Sequence, residues 1–135
     1  MRSPNQYIRE AFKAYIKTLG YAVYDRGRKV NDYPHVIIGE QTAIENSAQD
    51  RFGNIATINI EVVNGWASDY GDRSTADVIA NAITAIAQKP GISLTVAYFN
   101  VTALTVDNIM TYTEQTQTQT IHTTVIRFKL QIFEY

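Results

Sequence analysis

His35 and His122 are the side chains in this 135-residue chain best suited to proton transfer near neutral pH, and they lie far apart in the sequence. Neither falls in an HxH or HxxxH spacing, whereas a metal site needs several clustered ligands. The chain has no cysteine, which removes disulfides, thiolate nucleophiles and cysteine-ligated zinc together. Ser3, Ser47, Ser68, Ser74 and Ser93 are potential nucleophiles, but none sits in a GxSxG elbow. "YGDRSTAD" has one glycine ahead of a helix, and the two aspartates beside it would repel a phosphate. "SDYGDRS" holds two carboxylates without the spacing of an EF-hand loop. Any two of the 13 acidic residues could be paired as hydrolytic carboxylates, so their number selects none. No catalytic, cofactor-binding or metal-ligating residue is assigned.

The elements that hold these residues carry a clearer signal. Ser3 and Pro4 read as a helix start, with Ser3 as N-cap and Pro4 in the first turn. Ile8, Ala11, Phe12, Tyr15 and Leu19 then recur at helical spacing, while Arg9, Lys13 and Lys17 follow at i, i+4 on another face. Gly20 stops this first helix, expected over Pro4 to Leu19. "YAVYD" is a short strand candidate and "RGRKVND" a polar loop. "YPHVIIGE", residues 33–40, turns the chain into the sheet: Pro34 is tolerated at a strand's entry, and His35 starts a core strand. A polar loop over 46–54 leads to "IATINIEVVNGW", where Ala56, Ile58, Ile60 and Val62 alternate with Thr57, Asn59 and Glu61. Such alternation marks a half-buried antiparallel strand, and the two strands form a hairpin.

The period then changes. Ser74 or Thr75 can cap a second helix, with Asp77 completing a capping box for Ser74. Val78, Ile79, Ala82, Ile83 and Ile86 form its apolar stripe from Thr75 to Gln88, and Pro90-Gly91 end it. "ISLTVAYFNVTALTV" is strand-like with a break near Asn100. The Thr/Gln-rich run over 107–120 reads as an extended arm of the last strand or a protruding hairpin loop. The last strand buries Ile126, Phe128, Leu130 and Ile132 and exposes Arg127, Lys129 and Gln131. The expected fold is α+β in two layers: an antiparallel sheet of four to five strands with two helices on one face, and one domain over 1–135.

Charge is unevenly spread. Residues 1–29 carry seven Lys/Arg against two Asp/Glu, a net of +5, and residues 30–77 carry two against eight, a net of −6. The net charge of −1 lies far from the basic footprint of a duplex-DNA reader, although Arg26, Arg28 and Lys29 with Tyr21 and Tyr24 make a small basic-aromatic patch. No apolar stretch approaches the ~20 residues a membrane span needs, and the N-terminus lacks the apolar core of a signal peptide. An intracellular, soluble chain is therefore expected. Nine tyrosines and one tryptophan, with Tyr33, Trp66, Tyr70, Tyr112 and Tyr135 in or beside expected loops, suit a protein that buries surface against partners.

In order and length these segments resemble the tail-terminator, or head-to-tail joining, proteins of long-tailed bacteriophages and prophages. The resemblance rests on an N-terminal helix followed by "GYAVYDR", then "YPHVIIGE", "GNIATINIEVVNGW", the helix "STADVIANAITAIAQ" and the closing strand "VIRFKLQIFEY". It spans nearly the whole chain, and its motifs are structural; the long Thr/Gln stretch departs from it. It implies a ring, usually of six copies, that caps the tail tube and ends its polymerisation. It further implies that the ring joins tail to head connector, lets DNA pass without sequence-specific binding, and needs no cofactor. A head-tail connector or tail-tube component, or a small α+β enzyme, are the alternatives. Such a ring, assembled in the host cytoplasm and carried in the virion, needs two different patches that meet on neighbouring copies. The expected pair is Arg9, Lys13, Lys17, Arg26, Arg28 and Lys29 against Glu40, Glu45, Asp50, Asp69 and Asp72. Phe52, Trp66 and Tyr70 are the expected apolar anchors.

Overall fold

The protein is described by a computed structural model covering residues 3–25, 34–45, 53–67, 73–88, 94–115 and 119–134. Seven elements follow one another: α1 (Asn5–Thr18), β1 (Val23–Asp25), β2 (His35–Glu45), β3 (Gly53–Ala67), α2 (Arg73–Gln88), β4 (Phe99–Gln115) and β5 (Gln119–Glu134). The strands form one five-stranded sheet in the order β1-β2-β3-β5-β4.

The α1 helix forms because Ile8, Phe12 and Ile16, each four residues apart, bury one stripe. Tyr7, Ala11, Tyr15 and Leu19 flank that stripe against the core. Its N-cap is Pro4, with no side-chain capping bond, rather than the expected Ser3. Pro4 has no N–H to satisfy, and its carbonyl accepts from the Ile8 amide at 2.9 Å, which closes the first turn. At the other end Leu19 is the C-cap, and Gly20 takes φ +89°, the left-handed conformation a glycine adopts without strain.

One strand pairing departs from an all-antiparallel sheet. β1 runs parallel to β2, with Val23 opposite Val36 and Asp25 opposite Ile38. Residues 26–34 separate the two strands, a shorter link than the dozen or so residues a parallel crossover usually takes. The Ala22 carbonyl accepts from the Val36 amide at 2.9 Å, which begins the pairing. The other neighbours are antiparallel: β2 with β3, β3 with β5, and β5 with β4.

Register sorts every strand residue to one face. Ala56, Ile58 and Ile60 lie opposite Leu130, Phe128 and Ile126, and all six are fully buried under the helices. The rings of Phe12 and Phe128 meet with centroids 5.0 Å apart, seating α1 on the middle of the sheet. In α2, Ile79, Ile83 and Ile86 are buried, but Val78 is 61% exposed. At about 100° per residue, Val78 lies one step outside the stripe that Ile79 and Ile83 define. Helix α2 already includes Ser74 and Thr75, so neither is its N-cap.

The break expected near Asn100 comes two residues earlier. Val96 bridges back to Phe99 and Tyr98 takes φ +68°, with its ring edge-on to Tyr7 at 5.2 Å. Of the Thr/Gln-rich run, residues 107–115 continue β4, with Asn108 to Gln115 paired to β5, and Gln119 and Thr120 begin β5; residues 116–118 lie outside the described residues. Register shifts lie between Ile38 and Gln41 in β2, and between Val101 and Ala103 and between Val106 and Asn108 in β4. At the first of these, a Cβ on Gly39 would come within 3.1 Å of the Asn59 carbonyl oxygen, so the strands approach closely there.

Candidate interaction surfaces

The sheet face away from the helices falls into two halves. Following the register from β2 to β4, one half carries Thr42, Thr57, Lys129 and Thr105, then Asn59, Arg127 and Asn108. Thr42 and Thr57 share a hydrogen bond, and Arg127 Nε donates to Asn59 Oδ1 at 3.1 Å. Two shallow hollows lie here. One, of about 270 Å³, is lined by Ile55, Ala103, Thr105, Lys129, Leu130 and Gln131. The other, of about 180 Å³, is lined by Glu40, Thr42, Thr57, Asn59 and Arg127. Neither histidine lines either hollow.

The other half is more apolar. Ile37, Glu61, Val125 and Met110 share one row, and His35, Val63, Thr123 and Tyr112 the next. Met110 and Tyr112 are more than half exposed. Tyr112 is among the tyrosines the sequence points to. Ile109 and Met110 are not, because they stand inside a polar run; an apolar pair in a Thr-rich strand pattern is the signal that could have found them.

His35 is buried at the start of β2, its ring edge-on to Tyr24 at 6.1 Å. His122 is buried in β5, and its Nδ1 lies 3.1 Å from the Thr113 hydroxyl. Asn64, Thr120 and Thr124 are buried on the same side of the sheet, so a polar tract underlies the far end of the β4–β5 pair. Among the described residues, no group of three His, Cys, Asp or Glu is placed to hold a metal ion. Burial raises the pKa of the Tyr15 phenol above its ordinary value.

Two residues of the expected basic patch face an acid of the same chain. Lys13 Nζ lies 3.0 Å from Asp25 Oδ2 and Arg9 Nε lies 3.8 Å from Asp25 Oδ1, so one carboxylate of β1 faces two cations of α1. Arg9 also donates to Gln41 Oε1 at 3.4 Å, and Gln41 Nε2 donates to the Asn5 carbonyl at 2.8 Å. These contacts dock α1 over β1 and β2. Glu40 and Glu45 are residues of β2, and Glu40 lines the hollow with Thr42, Thr57, Asn59 and Arg127 on the face away from the helices. Lys17 is exposed and makes no ion pair among the described residues. Trp66 lies near the end of β3, opposite Thr120. Arg26, Arg28, Lys29, Asp50, Phe52, Asp69, Tyr70 and Asp72 lie outside the described residues.

No helix among the described residues is long and apolar enough to cross a membrane. No family model matches the chain, and no curated protein matches it. Among solved structures, the fold is similar to that of a chain in the "Virion of native gene transfer agent (GTA) particle", with a TM-score of 0.71. The likeness covers 97% of this chain and 99% of that one at 16% identity, so what the two share is the fold from end to end.

Proposed function

We propose that this chain is a structural component of a phage-like particle and acts as its tail terminator. Copies close into a ring, six in the family it resembles, that caps the tail tube, ends polymerisation and joins the tail to the head connector. DNA passes through the ring without sequence-specific readout, and the chain carries contact surfaces in place of a reactive centre. The observation that carries the reading is the end-to-end likeness in fold to a chain of a gene transfer agent virion. The order of sequence segments supports the finer assignment.

A closed ring needs one patch to meet a different patch on the next copy. The basic face of α1, with the exposed Lys17 at its C-terminal end, is one side of that contact. The facing acids are Glu40, Glu45, Asp50, Asp69 and Asp72, with Phe52, Trp66 and Tyr70 as anchors. Charge sets the register and the rate of approach, and buried aromatic area sets the affinity.

The test is electron microscopy of the purified protein across a concentration range, followed by its addition to growing tail tubes. Rings of uniform size that stop tube growth are expected. Rings that lengthen the tube would make the chain a tube component, and a strict monomer that leaves tube growth unaltered would reject the assignment.

A further inference from the structure

The outer edge of β4 has no strand partner among the described residues, since β4 ends the sheet order and pairs with β5 alone. Unpaired edges are templates for pairing with another chain, and proteins ordinarily blunt them with bulges, charges or prolines. In β4 these devices flank one segment: bulges and Asp107 precede it and Glu114 follows it. Register shifts interrupt the strand at Thr102 and at Asp107, and Asp107 adds a charge. From Asn108 to Thr113 the register with β5 is unbroken, and the segment holds no charged residue and no proline. Ile109, Met110 and Tyr112 on that segment are each at least half exposed.

We propose that this segment pairs antiparallel with the same segment of a second copy, about a two-fold axis at Thr111. The sequence is self-complementary in that register. Met110 stands opposite Tyr112 of the second copy, and both belong to the open face in their own sheets. Ile109 stands opposite Thr113, both on the helix side, so each face continues across the junction. Glu114 falls opposite Asn108, and no acid faces an acid. Moving the axis to Tyr112 would set Glu114 against Met110, which is why Thr111 is the centre. The thioether-aromatic contact between Met110 and Tyr112 occurs twice in the pair. The backbone groups that β4 leaves unpaired supply the hydrogen bonds. This contact is independent of the ring, because a two-fold contact closes on two copies and fails or stands separately from a cyclic one.

Sedimentation velocity over a concentration series tests the proposal on the full chain. The wild type is expected to show a monomer–dimer equilibrium, and M110K/Y112K, which puts lysine on two exposed positions, to weaken it about tenfold or more at unchanged circular dichroism. The chain has no cysteine, so a single Thr111→Cys reports the axis directly. Opposed strand residues stand about 4.5–5.5 Å apart at Cα, within disulfide reach. On mild oxidation T111C should form a disulfide dimer faster than Val78→Cys, an exposed position on α2. A wild type that stays monomeric throughout the series, a double-lysine variant that associates as the wild type does, or T111C crosslinking no faster than V78C would each overturn the proposal.

Discussion

The Tyr15 hydroxyl donates to the Ala82 carbonyl oxygen at 3.0 Å, and this bond ties α1 to α2 across the top of the sheet. Helix α1 otherwise lies over β1 and β2 and reaches β5 through Phe12, and α2 lies over β3, β5 and β4. Tyr15→Phe keeps the ring and removes the bond, so it should cost about 1 kcal/mol at neutral pH. Burial holds the Tyr15 phenol above its ordinary pKa, and that fixes the sign at high pH. Below the unfolded tyrosine value, about 10, both states keep the proton and the contribution is complete. As pH climbs from there toward the raised folded value, the unfolded chain ionises first and the contribution is lost. The stability gap between wild type and Y15F should therefore narrow as pH rises above about 10. Urea titrations at a series of pH values measure it.

Phe128 sits in the fully buried centre of β5, with its ring against Phe12. Phe128→Ala removes that ring pair and opens a cavity under α1 that close-packed neighbours refill only in part. A loss of about 3–5 kcal/mol is expected, read as a lower urea midpoint at an unchanged slope. Phe128→Leu should recover more than half of it, because most of the volume returns.

Asp25 faces both Arg9 and Lys13, yet all three side chains are partly in solvent. Exposed pairs contribute little, so Asp25→Asn should change stability by less than about 1 kcal/mol. Lys17 has a different expected effect. In the proposed ring, Lys17→Glu should leave the fold unchanged and slow assembly several-fold at low salt, with the difference fading near 1 M salt. Light-scattering growth curves at two ionic strengths separate the two residues.

The parts of the fold legible in the sequence are those where a period repeats long enough to set a face. Ala56 to Val62 and Ile126 to Ile132 alternate over several residues, and the structure buries those positions. In α1, Ile8 and Phe12 mark the stripe correctly, and Ile16 completes it. β1 is too short to carry a period, so its direction is set by tertiary pairing alone. The Thr/Gln run lacks apolar alternation, since β4 beyond Val106 packs on no core and its pattern records only exposure. The candidate contact residues are half legible for a related reason. Charge segregation along the chain is visible in composition, but the Arg9 and Lys13 contacts with Asp25 join residues 12 or more apart and depend on how α1 docks.

Thr124 marks a place where the core can be improved. Its Oγ1 is buried with no hydrogen-bond partner, in the polar tract that also holds His122 and Asn64. A buried hydroxyl left unpaired costs about 1–3 kcal/mol in lost hydration. Valine has nearly the same shape and suits a strand, so Thr124→Val exchanges an unsatisfied donor for a methyl group without changing volume. The variant should be more stable than the wild type by about 1 kcal/mol, raising the thermal midpoint by a few degrees. Thr123→Val in the neighbouring position is the control: Thr123 points to the opposite face of the sheet and is not among the buried hydroxyls without a partner. A gain at residue 124 that is absent at residue 123 would assign the effect to the unpaired hydroxyl rather than to the strand preference of valine.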